Sequence, residues 1–329
     1  MGRAIRVSTI LLLAFTARLA AQDKISVVLS TDVGNEVDDQ WAIVYLLTNP
    51  KFDVKGILSA HAPSISPPAG RTALRILRSV VEDRMGMRMH PPLLEGASVP
   101  LKDRKTPIES PAVDFLIETS RKYTAQSPLT VLAIGATTDV ASAILKDPSI
   151  THRIRVIDMG FQKWPEGGKE FNIENDVKAM QVLLASDVPL VIGSAEVCKR
   201  DLALSLQQAK EMVGDRGPIG EWLFTEFEAW YYRYVKPLRK DDFSKPWIIW
   251  DNIALAYVLG MTAHEDYPRP LLRDDMVLEP QKTDRKITWI TKVDHKQMWA
   301  DFLRRLDEYQ QTHAVTPAPL PGRLSFMLP

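Results

Sequence analysis

The stretch Ser26–Thr48, SVVLSTDVGNEVDDQWAIVYLLT, decides the fold. Its opening run, Ser26–Thr31, is short, apolar and rich in valine, which suits a strand buried on both faces of a parallel sheet. From Asp38 the apolar positions take helical spacing as far as Thr48, and Asn49-Pro50 stops the helix. A strand, an acidic loop and a helix in that order form the first unit of a sheet crossed by helices.

The same rhythm repeats outward. Val54–Ala60 (VKGILSA), Leu129–Ile134 (LTVLAI), Ile154–Asp158 and Pro189–Gly193 are apolar runs of strand length. Arg71–Glu82, Asp139–Lys146 and Asp176–Ser186 carry helical periodicity between them. Beyond Gly193 the pattern turns helical through Gly260, before a late strand at Ile287–Val293 and a closing helix at Lys296–Gln311. The expected class is α/β, a mostly parallel twisted sheet with helices on both faces and extra helices over its carboxyl end. The aromatic run from Trp222 to Tyr232, at helical spacing, reads first as core packing and second as a wall over a ligand pocket.

A chain of 329 residues, 45% of them hydrophobic, can bury a sizeable core. Lys+Arg 41 balance Asp+Glu 41, so there is no electrostatic ground for expecting nucleic acid or an anionic membrane as partner. Residues 1–21 follow signal-peptide order: basic Arg3 and Arg6, apolar Ile10–Phe15, then small Ala20-Ala21, with Arg18 and Leu19 departing from the usual cleavage pattern. Cleavage would remove Arg3, Arg6 and Arg18, leaving 38 basic residues (41 less three) against 41 acidic ones. The expectation is a secreted or periplasmic catalytic domain over residues 22–313, without a membrane partner once the signal is removed. Residues 314–329 are expected to form a disordered tail, with four prolines from Thr316 onward and no periodicity. Cys198 is the only cysteine, so no intrachain disulfide forms. Assembly into a homo-oligomer stays open.

The loop Ser30–Gln40 packs Asp32, Glu36, Asp38 and Asp39 into eight residues at the end of the first strand. Open α/β sheets bind ligands at the carboxyl ends of their strands. Like charges this close need a cation or an oriented solvent network. Gly34 permits a tight turn around one ion. Oxygen-only donors select a hard cation, and Ca²⁺ tolerates an irregular carboxylate set better than Mg²⁺ does. A helix cap would account for one acid, not four.

This loop resembles the opening motif of the inosine-uridine nucleoside hydrolases, roughly Asp-Thr-Asp-x-Gly-x-Asp-Asp, in a divergent form with two extra residues. Ala133–Asp139 is similar to that family's Gly-Pro-Leu-Thr-Asn loop, and Glu170-Phe171-Asn172-Ile173 with Asn175-Asp176 matches its Glu-Phe-Asn segment. Trp250-Asp251-Asn252-Ile253-Ala254 falls where the family carries His-Asp before a late helix. The resemblance runs over about residues 25–311. It implies calcium-dependent hydrolysis of the N-glycosidic bond of a ribonucleoside or related N-riboside. By the same resemblance Ca²⁺ is held by the carboxylates of Asp32, Asp39 and Asp251 and by the backbone carbonyl of Thr138. Asp32 is implied as general base, with Asp38, Glu170 and Asn172 on the sugar hydroxyls and Trp250 against the substrate. The chemistry is coherent: a deprotonated water attacks the anomeric carbon, and surrounding carboxylates stabilise the oxocarbenium-like charge.

Three departures bear on substrate. Ser30 stands for the motif's first Asp, and Trp250 for the His placed near the leaving base. Ser59-Ala60-His61-Ala62-Pro63 lacks the family's sugar-binding Asn. Trp cannot donate the leaving-group proton but can stack on a ring, and His61 is a candidate replacement acid. The losses leave an alternative: a catalytically altered or inactive paralogue that binds a carbohydrate or nucleoside through the same calcium site. Thr31-Asp32 after a strand also suggests an aspartate-nucleophile phosphatase, but no downstream Lys and paired acids follow in the required order.

Overall fold

The computed structural model describes residues 24–238 and 245–313. The expected signal peptide and proline-rich tail lie outside them. β1 (Ile25–Thr31) leads through the acidic loop into α1 (Asp38–Thr48). There follow β2 (Phe52–Ser59), α2 (Ala69–Arg78), β3 (Leu93–Leu94), α3 (Pro111–Ser120), β4 (Leu129–Ala133) and α4 (Thr138–Lys146). Next come β5 (Ile154–Met159), α5 (Phe171–Asn175), α6 (Val177–Ala185), β6 (Leu190–Gly193) and α7 (Ala195–Asp201). The chain closes through α8 (Gly217–Trp230), α9 (Asn252–Val258), β7 (Thr262–Pro268), β8 (Lys286–Val293) and α10 (His295–Thr312).

The main sheet has the order β3-β2-β1-β4-β5-β6-β8-β7, with every neighbouring pair parallel except β8 and β7. The chain builds outward from β1 to β3, then returns to lay β4 on the other side of β1, so the strand order reverses between β1 and β4. At such a switch point the loops above neighbouring strands part and leave a crevice.

Period-two alternation sends each strand into two cores. Leu29, Ile57, Leu132, Ile157 and Val191 pack on one face, and Val28, Leu58, Val131, Val156 and Leu190 on the other. Helices cover both faces, as expected. On the first face Trp41 is fully buried, edge-on to Phe227 and Trp299 at 6.2 and 5.9 Å and stacked on Phe302 at 5.7 Å. The aromatic run of α8 therefore belongs to the core, and none of residues 222–232 reaches the acidic cavity described below.

Several features escaped the sequence pattern, α3 and β3 among them. β7 is an exposed edge strand, TAHEDYP, with a single partner and so no apolar run to mark it. The stretch beyond Gly193 is not wholly helical, because Ala203–Leu204 pairs with Trp247–Ile248. Strands of two residues are too short to leave a period. Element ends also shift: α2 begins at Ala69 and continues beyond Arg78 as a π-helical turn, Ser79–Arg84.

Candidate active site

A cavity opens at the switch point, lined by Asp32, Glu36, Asp38, Asp39, Glu170 and Asp251. Asn172, Gln162, Ile134, Phe171 and Trp250 complete much of its wall. Asp32 is the first residue past β1. A Cβ on Gly135 would lie 2.9 Å from the Asp32 backbone nitrogen, so only glycine lets the β4–α4 turn press this close. Gly34, at φ 104°, bends the loop between Asp32 and α1.

Asp38 and Asp39 occupy the first turn of α1, yet the N-cap residue, Val37, makes no side-chain cap. Asp39 instead accepts a hydrogen bond from the Thr31 hydroxyl. Asp251 sits at the N-cap of α9 without capping it. Helix capping thus accounts for neither Asp39 nor Asp251. The backbone N–H groups of Asp251 and Trp250 lower the Asp38 pKa against the effect of its burial. Candidate ligand oxygens of Asp38, Asp39 and Asp251 all lie within 4.8 Å of one another. Glu170 caps α5, accepting from Asn172 and Ile173 N–H at 3.2 and 3.1 Å. The Asn172 amide nitrogen donates to the Met159 carbonyl at 3.1 Å, which fixes the side chain against the end of β5.

So many buried acids raise one another's pKa. Burial is the largest cause for Asp32, Asp39 and Asp251, which are all held well above the ordinary carboxylate range. Repulsion by neighbours adds to it: Asp38 and Glu170 on Asp32, Asp32 and Asp38 on Asp39, Asp38 and Asp39 on Asp251. Burial pushes Asp38 up to about 6 against the pull of its N–H donors, and Glu170 up to about 7. Glu36 is raised by burial, Asp38 and Asp32, and the Trp250 side chain lowers it in part. One Asp32 oxygen, Oδ2, is buried without a hydrogen-bond partner.

Of the residues singled out from sequence, Asp32, Asp38, Asp39, Glu170, Asn172, Trp250 and Asp251 all line this cavity. Asp38, expected on the sugar, lies in the carboxylate triplet with Asp39 and Asp251. Thr138 is not in the cavity wall; from its turn it is Ile134 that reaches there. β4 ends at Ala133, so the next residue faces the crevice, whereas Thr138 already opens α4. Its hydroxyl donates to Asp176 Oδ2 at 2.7 Å and lies 2.9 Å from His61 Nε2. His61, considered as a replacement acid, is likewise held outside the cavity wall, and burial lowers its pKa. Asp176 caps α6, accepting from Ala179 N–H at 2.9 Å.

Sequence reasoning gave no role to Gln162, Phe171 or Asp158. Asp158, one residue before the end of β5, is fully buried, neither carboxylate oxygen has a partner, and burial and then Glu170 raise its pKa. An acid closing an apolar strand was the available signal. Gln162 follows Phe161, whose φ of 64° turns the chain toward the cavity, and nothing in the sequence marks that turn.

A family model described as inosine-uridine preferring nucleoside hydrolase matches residues 27–300. The chain is 32% identical over 148 residues to an uncharacterized protein of Schizosaccharomyces pombe, covering 42% of this chain and 47% of that one. It is 26% identical over 196 residues to the pyrimidine-specific ribonucleoside hydrolase RihA of Escherichia coli, covering 53% and 61%. The chain thus spans about half to three-fifths of the length of these curated relatives. Among solved structures, the purine-preferring ribonucleoside hydrolase from Gardnerella vaginalis superposes with a TM-score of 0.70 at 19% identity, over 88% of this chain and 100% of that one. A plant nucleoside hydrolase, PpNRh1, gives 0.68 at 18% identity, over 86% and 99%. At such identities the likeness is one of fold.

Proposed function

The chain belongs to the inosine-uridine preferring nucleoside hydrolase family, and from that membership we propose that it hydrolyses the N-glycosidic bond of a ribonucleoside or related N-riboside, with Ca²⁺ as cofactor and Asp32 as general base. The observation that carries this reading is Asp32 Oδ2, buried in the cavity and unbonded beside a triplet of carboxylates. A pure binding protein has no need of such an oxygen.

The residues fit a hard cation. Asp38, Asp39 and Asp251 offer only oxygen, from within one small volume, and their mutual repulsion is what a divalent ion would offset. Bound there, Ca²⁺ supplies positive charge and acidifies water in its shell. Asp32, set against the triplet, takes the proton from the attacking water. Glu170 and Asn172, fixed by the α5 cap and the Met159 carbonyl, orient the sugar hydroxyls and stabilise charge developing on the ring. Trp250, in the cavity wall beside Glu36, offers a flat face to a leaving ring.

The test is turnover of a panel of ribonucleosides with Ca²⁺ and with excess chelator. Activity lost on chelation and restored by Ca²⁺ supports the proposal. Binding of nucleosides without any turnover would favour the inactive-paralogue reading.

A further inference from the structure

Resting on the N-glycosidic reading, we propose that the leaving group this chain accepts carries a carboxylate, held by a basic cleft beside Trp250. Helix α7 faces two cavities. Ala195 lines the acidic one, while Glu196, Lys199 and Arg200 line an open neighbouring cleft together with Gln162 and Lys163. Gln162 is a wall common to both. The Lys199 ammonium donates to Gln162 Oε1 at 2.9 Å and lies 5.9 Å from the centre of the Trp250 ring. The charge therefore shifts across one glutamine, from carboxylates that would hold the sugar to a cleft of three cations and one carboxylate, Glu196.

The three cations differ. Lys163 pairs with Glu166 at 3.3 Å and Arg200 with Asp201 at 2.7 Å. Lys199 is bonded to a neutral amide oxygen and keeps its charge for a ligand. An anionic group is repelled by the acidic floor, so it must sit at the end of the substrate away from the sugar. A ring lying along Trp250 would bring its far edge to Lys199.

Chemistry favours the same class. No histidine, lysine or tyrosine among the described residues lines the acidic cavity. A leaving group that needs no proton suits it, such as a pyridinium N-riboside. The water oxygen bonds to C1′ and its proton passes to Asp32. The electron pair of the breaking C1′–N bond stays on the ring nitrogen and cancels its positive charge.

N-ribosylnicotinate and N-ribosylnicotinamide differ only as carboxylate and carboxamide, and in both the departing ring nitrogen becomes neutral without a proton. The ratio of their kcat/KM values, acid over amide, is measured with Ca²⁺ on the full chain, on Lys199→Gln and on Lys199→Arg. The expected ratio is about tenfold or more in the parent, from one charge-assisted contact. It should fall to near unity in Lys199→Gln, survive in part in Lys199→Arg, and shrink with added salt. A parent ratio at or below unity, or one unmoved by Lys199→Gln, overturns the proposal. So does a preference for the 5′-phosphate of the amide riboside that Lys199→Gln abolishes, since the anion would then lie on the sugar. Inosine and uridine in the same series separate the failures. Their turnover without an acid preference overturns the carboxylate alone, and no turnover of any substrate overturns both readings.

Discussion

Carboxylate oxygens of Asp38 and Asp251 lie within 4.8 Å of each other, both buried, in one cluster with Asp39. Two acids in that relation can persist only if a proton or a cation sits with them. The site is therefore a place where a bound cation would compete with protons.

Calcium should stabilise the fold more at pH 8 than at pH 5. Asp38 is raised from 3.8 to about 6 and Glu170 from 4.5 to about 7, so in metal-free protein each stabilises the fold below its unfolded value. That stability is lost as pH rises through 6 and 7. Ca²⁺ replaces the missing protons, and its effect should grow over the same interval. Melting curves with and without CaCl₂ at the two pH values check this; an equal shift at both would contradict it.

Asp32→Asn should lower kcat by roughly 10²–10⁴-fold, the range for a lost general base, while the protein still folds. An amide cannot take the proton, and removing one like charge should leave the metal-free melting temperature unchanged or higher. Full activity with a normal melt would refute the assigned role.

Asp251→Asn should weaken calcium binding by about tenfold or more, read by calorimetry, because it removes one of three clustered carboxylates without touching the core. Affinity equal to the parent would place the ion elsewhere.

Thr138→Val should cost about 1–3 kcal/mol of unfolding free energy, since it strips a partner from buried His61 and Asp176. Calcium affinity should not change, because Thr138 lies outside the cavity wall. Denaturant unfolding and calcium titration on the same variant separate the two effects.

Trp41→Ala should cost about 3–5 kcal/mol, the range for emptying an aromatic site in a close-packed core. Trp41 joins α1 to α8 and α10 through Phe227, Trp299 and Phe302. A loss below about 1 kcal/mol would mean the core collapses around the gap.

The parallel sheet and the acidic loop after β1 could be read from residues alone, because both are local. A buried strand needs only a short apolar run, as Val27–Leu29 shows, and four acids in eight residues repel one another in any conformation. What depended on chain path could not be read this way. Thr138 and Ile134 lie four residues apart in one turn, and only the end of β4 decides that Ile134 faces the cavity while Thr138 faces Asp176. His61 has the composition of an acid catalyst, but Thr138 holds it elsewhere. Lys199 had no visible role until α7 placed it over Trp250, residues 51 positions away in sequence but 5.9 Å from ammonium to ring centre. Periodicity and charge density act between neighbours along the chain, so the sequence determined the fold class and the acidic character of the site. Which side chains share the cavity depends on distances set by the strand order, and only the tertiary structure decided that.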